Sequence, residues 1–372
     1  VGFNVVMDKE LIQGRLRRLR KLAFVAGFEA VVLSSGANVR YYSGFDGDDS
    51  WLLVGRRDSV LITDSRYTER AQAICPVCRI YERDTFLGKA AGMIISARSG
   101  IKTVAVEPSI SLGDFERLKK RSKKRVKGWR MLGGELRMVK DDYEVGLIAK
   151  AGRLASKALA MTVGGIEAGV SESYVAGLLD FNIAKLGCEL SFETIVAFGA
   201  NASMPHHKPG VRKLRKNDTI LIDFGAKYEG YCSDITRCFY VGRCGREYMR
   251  SYEAVERAQR AAINKVGAGV EAMELDKAAR EELVSSGVRE YGHGLGHGVG
   301  LYIHERPVAG GRSKDVLGEN MVLTIEPGTY EVGRFGIRIE DDVLVKDGGC
   351  EVLTRMCAHE PDLVKFKEMV KR

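Results

Sequence analysis

Apolar residues at Leu11, Ile12, Leu16, Leu19, Leu22 and Phe24 recur at helical spacing, which predicts an amphipathic helix near the start of the chain. The basic run Arg15 to Lys21 is expected on its outer, solvated face. The pattern then shortens to apolar runs over 29–35, 50–54 and 59–64, which read as buried strands. Arg56-Arg57-Asp58 separates the last two as a hairpin turn. A further strand over 103–107 and a helix over 112–120 complete a small α/β unit.

Near residues 134–140 the period changes. Longer helical patterns cover 142–162 and 171–186, the second opening at a Ser171 cap. Strands over 195–199, 219–224 and 232–240 follow, then helices over about 247–265 and 275–285, then strands over 321–326 and 336–345. Helices, strands, helices, strands is an α+β order that points to a duplicated half. No short-period repeat accompanies it, which excludes solenoids and propellers.

The length of 372 residues, at roughly 150 residues per domain, predicts two domains, 7–136 and 137–372. A chain that is 45% hydrophobic and 29% charged is not wholly disordered. No apolar run approaches the roughly 18 residues of a membrane span. The first ten residues lack a basic flank followed by a long apolar core, so no secretory signal is expected. With Val1 opening the chain and Met7 close behind, residues 1–6 read as a start-codon artefact and are set aside.

Eight cysteines are too sparse for a disulfide scaffold and predict a reducing cytoplasm. Cys75 and Cys78 spell half a zinc site or a redox pair, but no second Cys-x-x-Cys exists, and Pro76 between them suits a strand end. The net charge of +9 is lopsided: residues 1–138 carry 26 Lys or Arg against 15 Asp or Glu, and the remainder is nearly neutral. The second basic run, Lys119 to Arg130, lacks the aromatic interleaving of a single-strand platform. Solvated helix faces, with no nucleic-acid or membrane partner, are the expectation.

Five of the six histidines fall between His206 and His304. Around them Asp223, Asp234, Glu326 and Glu340 interrupt apolar strands, where charge is costly unless neutralised. Residues 219–237 read as strand, turn, strand. A two-residue loop at Tyr228-Glu229 would set Asp223 directly across from Asp234, with Cβ atoms about 4.5–5.5 Å apart. Either one carboxyl is protonated or a cation lies between them, and a cation is the cheaper solution at neutral pH. A second hairpin about Gly333 would put Glu326 and Glu340 on one face.

Between these pairs, His293 and His297 have the spacing of a zincin helix, but Gly294 stands where that motif has Glu, and alternating glycines discourage a helix. The glycines instead let backbone approach a site closely. Four carboxylates and one imidazole suit two divalent ions, manganese or cobalt more readily than zinc. Two such ions generate a hydroxide at neutral pH and clamp a tetrahedral intermediate. The plain alternative pairs the buried acids with Arg237 and Arg338, but four such acids beside clustered histidines favour metal.

The motifs Asp-Phe-Gly-Ala (223–226), Tyr-Cys-Ser-Asp-Ile-Thr-Arg (231–237), Gly-His-Gly-Leu-Gly-His-Gly-Val-Gly-Leu (292–301), Ile-His-Glu (303–305), Thr-Ile-Glu-Pro-Gly (324–328) and Ile-Arg-Ile-Glu-Asp-Asp (337–342) run in order across the second domain. Together they resemble the dinuclear metallopeptidases of the pita-bread fold, most closely the proline-specific prolidase and aminopeptidase P group. Tyr42-Ser-Gly-Phe and Ile62-Thr-Asp-Ser-Arg-Tyr resemble the amino-terminal domain of those peptidases.

The resemblance implies an α+β chain: a small creatinase-like α/β domain followed by a pita-bread catalytic domain. It implies two divalent ions held by Asp223, Asp234, His297, Glu326 and Glu340, with Asp234 and Glu340 touching both. It further implies that His206 and His304 steady the substrate carbonyl and oxyanion, and that Glu326 helps activate a bridging hydroxide. Arg338 supports the site or meets the substrate, and His293 lines the pocket. His207 stands where many relatives carry Gly, so His206 and His207 could exchange roles; His206 is taken as the general acid. The implied activity is hydrolysis between an N-terminal residue and a following proline, by a homodimer. A non-catalytic pita-bread binding module and a metal-free amidino hydrolase are the competing readings, and all five ligand positions being filled argues against both.

Overall fold

The computed structural model describes residues 7–355 and 357–371, so residues 1–6 lie outside it. The chain forms two compact units, Val1–Leu136 and Arg137–Arg372.

The first unit contains α1 (Lys9–Val25), β1 (Ala30–Leu33), α2 (Gly36–Ser43), β2 (Trp51–Gly55), β3 (Ser59–Thr63), α3 (Thr68–Ile74), β4 (Arg79–Glu82), α4 (Leu87–Ser96), β5 (Thr103–Val106), α5 (Leu112–Ser122) and β6 (Arg125–Gly128). Its six-stranded sheet has the order β4-β3-β2-β1-β5-β6. The turn at 56–58 joins β2 to β3 in the expected hairpin, Val54 facing Ser59. Strands β1 to β3 are buried along their whole length, which explains their continuous apolar runs.

Elements β4 and α4 lie outside the sequence expectation. Strand β4 has no buried residue, and α4 carries Gly88 and Gly92 where a Cβ would collide with backbone or side-chain atoms of α5. Glycine there trades helix propensity for close helix packing. Arg15 departs from the expected solvated face: it is buried, donates from Nη1 to the Tyr41 carbonyl at 3.1 Å, and stacks over the Tyr41 ring. Cys75 and Cys78 occupy the turn between α3 and β4, not a strand end; burial pushes both thiols up to about 12, so neither is a thiolate at neutral pH.

The second unit contains α6 (Asp142–Thr162), α7 (Glu172–Lys185), β7 (Glu189–Leu190), β8 (Ile195–Phe198), β9 (Thr219–Phe224), β10 (Ala226–Tyr228), β11 (Tyr231–Cys232), β12 (Ile235–Tyr240), α8 (Arg246–Ile263), α9 (Ala272–Ser285), β13 (Gly296–Gly298), β14 (Glu305–Ala309), β15 (Val322–Ile325), β16 (Gly328–Glu331), β17 (Phe335–Arg338), β18 (Asp341–Lys346), β19 (Gly349–Val352) and α10 (Leu363–Met369). An Asp141–Glu144 capping box starts α6, and Ser171 caps α7 by accepting from the Tyr174 N–H. The main sheets run β12-β9-β8 and β14-β13-β15-β18-β19.

The duplication is visible in backbone detail. Ala168-Gly169-Val170 leads into α7 and Ala268-Gly269-Val270 into α9. Gly169 N–H donates to Leu214 O and Leu214 N–H to Val170 O; Gly269 and Val270 make the same pair of bonds with Leu317, all four at 2.8 Å. Both glycines have positive φ, +96° and +86°. Among the described residues, no helix is long and apolar enough to cross a membrane.

Candidate metal centre

The first acidic pair comes from the β9–β12 hairpin, in a different register from the one expected. The loop is Glu229-Gly230, both with positive φ, as a two-residue type I′ turn requires. Tyr228 therefore faces Tyr231, and Asp223 faces Thr236, not Asp234. The shift is two residues, so the pleat still sends Asp234 to the same face, diagonal to Asp223. Gly225 interrupts the strand between β9 and β10, where a Cβ would run into the Ser233 carbonyl.

The second pair follows the expected turn. Gly333, at φ +73°, closes β16 on β17 with Gly328 opposite Arg338, a register that continued two residues sets Glu326 opposite Glu340. The apolar run 336–345, expected as one strand, breaks at Ile339-Glu340: β17 pairs with β16, whereas β18 pairs with β15 and β19. Glu340 thus sits where the chain changes sheets. His297 comes from β13, where Gly296 and Gly298 lie so close to neighbouring backbone that side chains would collide with Thr324 and Arg306. His293 precedes that strand in irregular backbone, so the two histidines share no helix.

All nine expected site residues line one cavity of about 620 Å³: His206, Asp223, Asp234, His293, His297, His304, Glu326, Arg338 and Glu340. Ligand atoms of Asp234, His297 and Glu340 lie within 4.8 Å of one another. His297 Nε2 is 3.7 Å from Asp234 Oδ2 and 3.5 Å from Glu326 Oε1. Its Nδ1 faces the Gly298 carbonyl at 3.2 Å, which puts the proton there and turns the Nε2 lone pair toward the acids. Burial holds His297 down at about 4, hence neutral at pH 7.

The acids are crowded. Burial first, then Glu340 and the other neighbouring carboxylates, raise Asp234 well above its ordinary value. Burial, Glu326 and Asp223 do the same to Glu340, and burial raises Glu326 to about 8. Arg338 offsets part of this. It is 4% exposed, donates to Asp223 through Nη2, and reaches Thr236 Oγ1 at 3.0 Å and Tyr330 Oη at 2.9 Å. Arg237, the other basic residue near the acids, is committed to Asp341 at 2.7 Å. Four carboxylates therefore share one guanidinium.

This donor set fits divalent metal ions. Asp223 Oδ1 and Asp234 Oδ1 are buried without a hydrogen-bond partner, and an imidazole lone pair faces carboxylate oxygens with no proton donor between. Such an array of acceptors is stable only with protons or cations among them.

Around the acids lie residues outside the expected site set. Thr236 donates to Glu340 Oε2 at 2.6 Å, Asp342 Oδ2 accepts from the Asp234 N–H at 3.0 Å, and Thr324 accepts from the His297 N–H at 3.1 Å. Thr236 lies two residues from Asp234, and Thr324 two from Glu326, so strand alternation alone could have found both. His293 Nε2 meets Tyr330 Oη at 3.0 Å, and the His304 ring packs edge-on against His297.

His206 and His207 both line the cavity, and His207 is held at 2.9 Å by Glu172, a fully buried carboxylate on the first turn of α7. Glu172 also accepts from the Phe198 and Gly210 N–H groups and from Asn201, all within 3.1 Å. Burial alone would raise Glu172, but these donors outweigh it and leave it lowered. Glu172→Ala orphans them, and is expected to cost about 2–4 kcal/mol, read by denaturant unfolding. His206→Ala should leave that midpoint unchanged while lowering kcat.

Comparison with known proteins agrees with this architecture. Residues 146–347 match Metallopeptidase family M24, and residues 15–139 match the Creatinase/Prolidase N-terminal domain. The chain belongs to metallopeptidase family M24. It is 32% identical to the Xaa-Pro dipeptidase of Pyrococcus horikoshii, over 93% of this chain and 98% of that one. Among solved structures, the Xaa-Pro dipeptidase from Bacillus anthracis superposes with TM-score 0.89 at 32% identity, covering 94% of this chain and 99% of its own. The X-Pro aminopeptidase from Thermotoga maritima gives 0.84 at 37% identity, over 91% and 97%.

Proposed function

We propose that this chain is a dinuclear-metal exopeptidase that hydrolyses the bond between an N-terminal residue and a following proline. The observation that carries the reading is the largely buried cluster of four carboxylates that share one guanidinium beside a neutral imidazole. Asp223, Asp234, His297, Glu326 and Glu340 would hold two divalent ions, with manganese favoured over cobalt or zinc by the oxygen-rich set. When bound, such ions ionise water near neutral pH and offset the charge of a tetrahedral intermediate.

The chain's own groups supply the remainder. Glu326 takes a proton from the attacking water, and His206 and His304 donate hydrogen bonds to the carbonyl oxygen as it becomes an oxyanion. In the balanced reaction the hydroxyl joins the acyl carbon, the C–N bond breaks, His206 gives a proton to the proline nitrogen, and the site resets as Glu326 releases the proton taken from water and His206 regains one. Arg338 positions Asp223, and His293 with Tyr330 frames the pocket. A bond preceding proline is a tertiary amide without N–H, so a site that activates the carbonyl and delivers a proton loses nothing on it. The names of the Pyrococcus, Bacillus and Thermotoga relatives support the proline preference.

The reading includes a homodimer in a reducing cytoplasm, in keeping with eight free cysteines. Sedimentation showing only monomer would remove the dimer. For the activity, mass spectrometry of products from a Gly-Pro dipeptide and an Arg-Pro-Pro peptide, with manganese, cobalt and zinc supplied separately, should show release of the N-terminal residue from at least one. Both left intact under every metal, with a non-proline peptide cut, would overturn the proline preference.

A further inference from the structure

We infer that this site is built for peptides that continue beyond the proline and handles free Xaa-Pro dipeptides poorly. The inference rests on the proline-specific reading above. In a dipeptide, the carboxylate of the leaving proline lies two bonds from the scissile nitrogen. It must therefore enter a cavity whose four acidic side chains already take up the charge of the two divalent ions they would hold. An anion desolvated there needs a permanent cation as partner. In a longer peptide the same atoms form a neutral amide, and the requirement disappears.

The cavity lining does not supply that cation. Its two permanent cations among the described residues are Arg338 and Lys208. Arg338 is 4% exposed, and all three of its nitrogens are engaged, by Thr236, Tyr330 and Asp223. The Lys208 side chain is 88% exposed, and its Nζ stands 3.9 Å from Glu193, which is 90% exposed. A solvated lysine that shares its charge with a solvated acid is a weak clamp. Much of the remaining wall is apolar: Phe192, Ile195, Pro205, Pro209 and Val308. Val308 is 47% exposed and stands in register opposite His297. An aliphatic side chain there, next to the reacting groups, suits neutral backbone and gives a carboxylate no partner.

The test compares Ala-Pro, Ala-Pro-NH2 and Ala-Pro-Ala as substrates of the manganese-loaded full chain at pH 8. The amide and the tripeptide should exceed the dipeptide in kcat/KM by roughly tenfold or more, the scale of one charge left without its hydrogen-bonded partner, with most of the difference in KM. Val308→Arg places a permanent cation in the wall and should raise dipeptide cleavage about tenfold without raising that of the amide. Lys208→Ala should leave the acid-to-amide ratio unchanged. Ala-Pro cut as well as its amide overturns the inference alone, and so does a selective loss of dipeptide cleavage in Lys208→Ala. If none of the three proline peptides is cut while Ala-Ala-Ala is, the proline-specific reading falls and the inference goes with it.

Discussion

Glu340→Gln is expected to leave a folded chain that binds fewer than two metal equivalents and loses about 10³-fold in kcat/KM, the scale seen when one group that stabilises transition-state charge is removed. The amide keeps the shape of the side chain, and its oxygen can still accept from Thr236, so the local hydrogen bond survives. What disappears is one negative charge at the point where the chain passes between sheets, within reach of Asp234 and His297. Asp234→Asn should behave alike. Without metal, both variants should be at least as stable as their parent, because each relieves repulsion among crowded carboxylates. Elemental analysis, steady-state kinetics and thermal melts of the chelated proteins check the three parts. Active enzyme free of transition metal would remove the metallopeptidase mechanism. A large drop in melting temperature of the chelated variants would show these acids to be structural groups instead.

Metal-free protein is expected to lose stability as the pH rises from about 7 to 9, and divalent metal should reverse the loss. The sign follows from the acids. Burial and mutual repulsion raise Asp234 and Glu340 well above their ordinary values, and burial raises Glu326 to about 8. The folded state therefore holds protons that the unfolded chain has already released. Their contribution is complete below the ordinary carboxylate range and is lost as the pH climbs through the folded values.

His293 and His297 run the other way. Burial holds both near 4, so their cost fades as the pH reaches the ordinary imidazole value of 6.5. Glu172 and Asp341 are lowered, and their contributions are already complete at neutral pH. Above pH 7 the crowded acids set the part of the slope that metal can reverse, on the order of a few kcal/mol, while the buried thiols, also raised, add a loss toward pH 9 that metal leaves unchanged. Metal affinity should rise over the same window, since the ligands must deprotonate to bind. Melts at pH 7, 8 and 9, with chelator and with manganese, measure both trends, and a flat chelated profile would count against the crowding.

Composition and pattern were enough to mark the long elements. The apolar period delimits α6 at Asp142–Thr162 and β9 at Thr219–Phe224, because each buries a wide face, and the Ser171 cap marks the start of α7. Charged residues inside apolar strands likewise revealed Asp223, Asp234, Glu326 and Glu340, since a buried acid needs a reason wherever it lies. Strand β4 went unseen because it buries no residue, and α4, although apolar, because its two glycines argue against a helix that only packing on α5 explains.

The sequence by itself thus determined which side chains gather at the centre and that they require counter-charge, because alternation along a strand survives a two-residue error in register. Only the tertiary structure decided that Asp223 faces Thr236, that the run through Glu340 belongs to two sheets, and that Glu172 holds His207. Those outcomes depend on the backbone angles of Glu229-Gly230 and on contacts between residues far apart in the chain, which no local pattern encodes.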